Sequence, residues 1–238
     1  MSTKLKFIGL IPARKGSKGL LNKNILNLCS KPLVQHTIDA ALGASFLDEV
    51  CVSSDDKEVL RLAKSLNVKE LLRPAEFAND QSTAIEVVNH FISTLPREKN
   101  FQDNFIVYLQ PTSPMRNAKH IDESIKLLLA NKKNSLLSIS LMRKSPFKSF
   151  VVNNSGVLES LFDEKLSNAR RQDLQKVYIP NGAIYIFSIK EFINRNGFPS
   201  NGSVPFIMNE NDSIDIDEKE DLEKAEMLMG RNNAWNKN

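Results

Sequence analysis

Short apolar runs alternate with helical periodicity along the first 142 residues. Residues 7–12 read as a buried strand, and 32–44 as a helix with Leu33, His36, Thr37, Ala40 and Ala41 on one stripe. A second strand covers 49–53, followed by a helix over 57–66 that turns Val59, Leu60, Ala63 and Leu66 inward. Residues 68–72 form a short strand, 82–95 a helix capped by Ser82, 105–110 a strand, 118–130 a helix and 135–141 a strand. This alternation predicts an α/β fold with a mostly parallel sheet flanked by helices on both faces. Ligands of such sheets sit beyond the carboxyl ends of the strands. A glycine-rich turn after the first strand, Asp55, Arg73 and Gln110 all fall at or just after predicted strand ends. They are therefore expected to converge on one crevice.

The pattern breaks after Met142. Residues 143–180 carry polar runs, the turn Asn153, Asn154, Ser155, Gly156 and only fragments of strand. They read as an insertion, an arm or dimerisation segment, set into a domain made of 1–142 and 181–238. Regular structure resumes with a strand over 182–188, a short helix over 189–195, a strand over 204–208 and a last helix over 218–229.

Composition narrows the class. The chain has 238 residues, 41% hydrophobic and 25% charged, which is the balance of an ordinary globular protein with a sizeable core. A net charge of +4 suits a small anionic substrate and does not demand nucleic acid. No run approaches the roughly 20 apolar residues of a membrane span, and the start lacks a signal-peptide apolar region, so a cytoplasmic location is expected. Cys29 and Cys51 are too few for a disulfide framework and read as core or near-core thiols. His36, His90 and His120 are scattered on predicted helices without zinc spacing.

The candidate chemistry begins in the glycine turn. Arg14, Lys15, Lys18 and Lys23 crowd beside Gly16, Gly19, Ser17 and Asn24. Glycine lets backbone N–H groups approach phosphate oxygens, Arg forks two oxygens, and Lys adds a mobile charge, so a polyphosphate is the matching ligand. The alternative is a solvated basic turn. Neither the G-x-x-x-x-G-K-[ST] nor the G-x-G-x-x-G spacing is present. Near the other end, Asp212, Asp215 and Asp217 lie around Ile214 and Ile216. If that stretch is extended, Asp215 and Asp217 share a face about 6–7 Å apart and can hold one hard cation. Asp217 could instead complement the dipole of the last helix. Gln110 ends a strand at a corner stiffened by Pro111 and Pro114, leaving its amide able to read a base or sugar edge. Arg73 could reach base, ribose or phosphate, or be a surface arginine. Tyr185 is core packing or a pocket wall. Lys148, Arg170 and Arg171 are arm cations, solvated in the plain reading.

Taken in order, Pro12, Ala13, Arg14, Gly16, Ser17, Lys18, Gly19, Lys23 and Asn24, then Arg73 and Pro74, then Gln110 to Pro114, then Arg171, Gln172 and Asp173, then Pro180 to Tyr185, then Asp215, Ile216 and Asp217 resemble the CMP-sialic acid synthetases, or acylneuraminate cytidylyltransferases. The resemblance runs over about residues 7–229. It implies a Rossmann-like nucleotidyltransferase fold, an arm exchanged in a homodimer, CTP and a nine-carbon α-keto acid sugar as substrates, and Mg²⁺. It assigns Arg14, Ser17, Lys18, Lys23, Asn24, Arg73 and Gln110 to the nucleotide. It assigns Gln110, Lys148, Arg171, Tyr185 and Phe198 to the sugar, and Asp215 and Asp217 to the metal. Arg14, Lys18, Lys23 and Asp215 would carry catalysis. Many relatives have Gly where Lys15 stands, and the additional esterase-type domain of some relatives is expected to be absent. The alternatives are CTP-dependent activation of 3-deoxy-manno-octulosonate and a non-catalytic nucleotide-binding protein.

Overall fold

The computed structural model describes residues 5–16, 19–98 and 100–235. The elements run β1 (Phe7–Pro12), β2 (Asn27–Leu28), β3 (Lys31–Pro32), α1 (Leu33–Leu42), β4 (Glu49–Ser54), α2 (Lys57–Ser65), β5 (Lys69–Leu72), α3 (Ala84–Thr94), β6 (Phe105–Tyr108), α4 (Ala118–Ala130), β7 (Ser135–Leu141), β8 (Phe150–Val152), β9 (Leu158–Ser160), α5 (Glu164–Asn168), β10 (Tyr178–Ser188), α6 (Ile189–Arg195), β11 (Val204–Ile207) and α7 (Lys219–Trp235).

Seven strands make one sheet in the order β11-β7-β10-β6-β1-β4-β5. All neighbours pair in parallel except β10, which runs antiparallel to both β6 and β7. Alternation along β1 explains the two-faced core. Phe7 and Ile11 join Val52, Val107 and the α1 and α4 residues Ile38, Ile121 and Ile125 on one face. Ile8 and Leu10 join Cys51, Ile106 and the α3 and α6 residues Phe91 and Phe192 on the other.

Several expectations shift. The α3 cap is Thr83, not Ser82: its hydroxyl accepts from the Glu86 N–H while the Glu86 carboxylate accepts from the Thr83 N–H, a reciprocal box that Ser82 cannot form. In α1 the fully buried face holds Val34 and Ile38, whereas His36 is only partly buried and hydrogen-bonds the Leu28 carbonyl. Cys51 is buried, but Cys29 is exposed at the β2–β3 turn with φ +48°. The strand expected over 182–188 starts four residues earlier, at Tyr178.

A third apolar cluster positions the site. Leu28, Leu33, Met115, Ile214, Ile216 and Ala225 pack together, with Leu20 and Leu222 against them. This small core clamps the loop after β1, the corner after β6, the acidic stretch and α7 into one unit.

Candidate active site

Beyond the carboxyl ends of the parallel strands lies a crevice of about 370 Å³, lined by Arg14, Lys23, Arg73, Gln110, Thr112 and Asp217 among others. Its floor comes from strand ends, where the chain leaves the sheet and side chains point forward. Ser17 and Lys18 fall outside the described residues. Lys15 is exposed, and its backbone N–H donates to Asp55 at 2.8 Å, so Asp55 ties down the base of the loop.

The loop after β1 meets the acidic stretch directly. Lys23 Nζ donates to the Ile216 carbonyl at 2.7 Å and to Asp217 at 3.0 Å. Gly19 lies so close to the same strand that a Cβ there would stand 2.3 Å from the Asp217 carbonyl oxygen. Only glycine permits that approach. Asn24, buried, donates from Nδ2 to the Arg14 carbonyl at 2.8 Å and holds the loop's arch. Across the crevice, Arg14 donates to the Asn79 carbonyl at 3.0 Å and to Asp80 at 3.1 Å. Arg14 and Lys23 thus each rest on a carboxylate, Asp80 and Asp217.

Ile214 and Ile216 are buried while Asp215 and Asp217 are exposed, as the alternation required. The stretch is not a sheet strand, however. It follows a 3₁₀ turn over Asn211–Ser213 and is pinned by the Ile216 N–H on the Thr112 carbonyl at 2.8 Å. The start of α7 is served by Asp221, which accepts from the Asp217 and Glu218 N–H groups. The Asp217 carboxylate is therefore directed at Lys23. The Asp215 residue is exposed by surface and does not itself line the crevice, yet its carboxyl lies beside Gly182 and Thr112. Desolvation there pushes its pKa above the ordinary carboxylate range; a hydrogen bond with Thr112 opposes this, Asp217 adds to it and Lys23 opposes it.

Gly182, at φ +76°, sits at the bulge where β10 changes register between Pro180 and Tyr185. A Cβ there would stand 2.6 Å from Gln110 Oε1 and 3.4 Å from Asp215 Oδ2, so the amide and the carboxylate both flank this glycine. Arg73 is buried and donates to Ser53 Oγ at 3.2 Å and the Ser53 carbonyl at 2.7 Å. It is a crevice wall residue and not a surface arginine. Tyr185 and Phe198 pack edge-on with Tyr108, at 6.0 and 4.9 Å between centroids. Tyr108 lines the crevice. Burial, and next the Asp215 charge, push the Tyr185 hydroxyl above its usual pKa. Phe198 also packs on Phe187 and Phe192, which makes it the edge of the core as much as a pocket wall.

The arm residues stand apart. Lys148 is exposed, at the end of a 3₁₀ turn over Pro146–Lys148, and Arg171 donates to the Arg143 carbonyl. Neither lines the crevice of its own chain.

Asn181 went unassigned in the sequence reading. It accepts from Ser138 Oγ at 2.6 Å and donates to Ser213 Oγ at 2.9 Å, linking β7 and β10 to the acidic stretch. A polar residue within the run of β10 was its only signal. Among the described residues no group of three or more His, Cys, Asp and Glu side chains forms a complete metal cage. Mg²⁺ needs only one or two carboxylates where phosphates and water complete its shell, so the Asp215 and Asp217 donor set fits it.

A cytidylyltransferase family model matches residues 8–237 of this chain. The chain is 35% identical over 230 residues to an N-acylneuraminate cytidylyltransferase of Escherichia coli O18:K1:H7, covering 96% of this chain and 53% of that protein. It thus spans about half the length of the first curated relatives it matches. It is 32% identical over 232 residues to a CMP-N,N'-diacetyllegionaminic acid synthase of Legionella pneumophila, covering 96% of this chain and 98% of that one. The fold is similar to that of a CMP:2-keto-3-deoxy-manno-octonic acid synthetase solved with CTP, with a TM-score of 0.70 at 19% identity, over 95% of this chain and 99% of that one.

Proposed function

The chain belongs to the cytidylyltransferase family, and from that premise we propose that it transfers CMP from CTP to the anomeric hydroxyl of a nine-carbon α-keto acid sugar. The sugar oxygen forms a bond to the α-phosphorus, the bond from that phosphorus to the bridging oxygen breaks, and pyrophosphate leaves. The hydroxyl proton passes to solvent or a phosphate oxygen. The observation that carries this reading is the junction of Lys23 with Asp217 and the Ile216 carbonyl, which sets a cationic loop against an acidic stretch across one crevice. A protein that merely bound nucleotide would have no use for that pairing.

Arg14, Lys23, Asn24 and, by the resemblance, Ser17 and Lys18 would hold the triphosphate and stabilise the leaving pyrophosphate. Asp215 and Asp217 would hold Mg²⁺, which when bound polarises phosphate oxygens and favours loss of the hydroxyl proton. Arg73 and Gln110 would meet the cytidine, and Tyr185 and Phe198 would wall the sugar side. The arm, 143–180, would pair with a second copy and bring Lys148 and Arg171 to the partner's sugar carboxylate. Exposed Phe150, Val152, Leu158 and Phe162 support that pairing, because an isolated arm with so much apolar surface invites burial. Among the described residues no helix is long and apolar enough to cross a membrane. We place the activity in the cytoplasm, where CTP is made.

The test is a panel of nucleoside triphosphates against neuraminic, legionaminic and pseudaminic acids and 3-deoxy-manno-octulosonate, read by pyrophosphate release. Turnover is expected with CTP and a nine-carbon acid. Selective turnover with the eight-carbon acid would overturn the sugar assignment.

A further inference from the structure

Arg116 is the largest fully buried side chain in the described protein, 1% exposed. No carboxylate answers its charge among its hydrogen-bond partners, which are neutral. Nη2 donates to Thr37 Oγ1 at 2.7 Å and to the Gln110 carbonyl at 3.2 Å, and Nε has no partner. Thr37 is itself fully buried, on α1. Burial pushes the guanidinium pKa down, yet an arginine keeps its charge at neutral pH even when buried. A buried cation held only by a hydroxyl and a carbonyl is costly to the fold, and a leucine or methionine would pack there more cheaply.

What the cost secures is the corner after β6. Gln110 is fixed through its carbonyl by Arg116. Two residues on, the Thr112 carbonyl accepts the Ile216 N–H, and the Thr112 side chain bonds Asp215. The amide that meets the nucleotide and the carboxylate that meets the metal therefore hang on one short segment, and Arg116 closes it against α1. Arg116 does not line the crevice, so it cannot touch the ligand.

We propose that Arg116 is a positioning residue that sets base selectivity by locking the Gln110 corner to Thr37. This rests on the cytidylyltransferase reading above. A glutamine can discriminate between cytosine and uracil only where the backbone that carries it sets the distance and angle of its amide to the base. One nitrogen, Nη2, reaches the hydroxyl and the carbonyl together, with Nη1 3.5 Å from the same hydroxyl, and the rigid plane of the guanidinium fixes those directions where a lysine ammonium would rotate freely.

The experiment compares kcat/KM for CTP and for UTP, with a nine-carbon acid and Mg²⁺, in the wild type, Arg116→Lys, Arg116→Met and the double variant Thr37→Val with Arg116→Met. Thermal melts accompany each. The double variant removes both partners of the bond and so guards against a fold lost to one orphaned group. Every folded variant is expected to lose at least about tenfold of the CTP-over-UTP preference, because the Gln110 amide is displaced, with Arg116→Lys recovering only part of it. A purely structural role moves the melting temperature and leaves the preference alone; that result in any folded variant overturns the proposal. A wild type silent with all nucleotides and sugars overturns the functional reading and this role together, whereas an active wild type with unchanged variants overturns this role alone.

Discussion

Lys23 shows how one side chain serves two partners. It neutralises Asp217, whose own side chain is 73% exposed, and it faces the crevice. With one partner so wet the ion pair is worth about 0–1 kcal/mol to the fold, although Lys23 itself is only 11% exposed and also holds the Ile216 carbonyl. Lys23→Met keeps the apolar stem and should lower the melting temperature by no more than the loss of one such hydrogen bond, while raising the CTP KM at least about tenfold, since the lost charge faces a phosphate. Equal loss of stability and affinity would mean that the lysine is structural. The thiols separate in the same way. Burial pushes Cys51 up to about 12, whereas Cys29 is exposed. An aromatic disulfide reagent at mildly alkaline pH should titrate one thiol in the native protein and the second only in denaturant. Two fast thiols would contradict the burial of Cys51. Residue types at strand ends were readable from the chain alone, and Arg14, Arg73 and Gln110 do converge. The importance of Arg116 was not, because an arginine in a polar corner looks solvated until its burial is seen.

At the level of elements, strand and helix positions follow from periodicity almost throughout, but strand direction does not. The alternation of β10 reads the same whether it runs parallel or antiparallel, so its reversal between β6 and β7 had no local signal. Nor did periodicity reveal that the extended acidic stretch lies outside the sheet, because Ile214 and Ile216 bury against α7 and Met115 just as strand residues would. Ile216 is fully buried there, and Ile216→Ala should cost about 2–5 kcal/mol by transfer and cavity terms. A denaturant midpoint shift under 1 kcal/mol, by the same reasoning, would mean the third cluster is loosely packed. Gly182→Ala tests the bulge: the positive φ alone costs roughly 1–2 kcal/mol, and its Cβ displaces the Gln110 amide. Activity should fall much further than stability.

At the scale of the molecule, the site joins positions 194 residues apart, Lys23 and Asp217. No pattern of hydrophobicity announces such a contact; the order of motifs along the chain did. The expected arm poses the opposite case. A broken pattern marks 143–180, but Lys148 and Arg171 lie outside the crevice of their own chain, so the sugar role proposed for them requires a second copy. If the arm acts in trans, mixing Lys148→Ala with Asp215→Asn subunits should restore about a quarter of wild-type activity at low sugar, from one intact site in half of the dimers. No recovery would place the arm outside the site. The central claim is that CTP is consumed between the basic loop and the acidic stretch. It is tested most directly by pyrophosphate release from CTP, Mg²⁺ and a nine-carbon keto acid, with wild type and Asp215→Asn assayed side by side. The account predicts steady release by the wild type and a loss of at least about 10²-fold in a normally folded Asp215→Asn. Near-equal rates in the two proteins would contradict it.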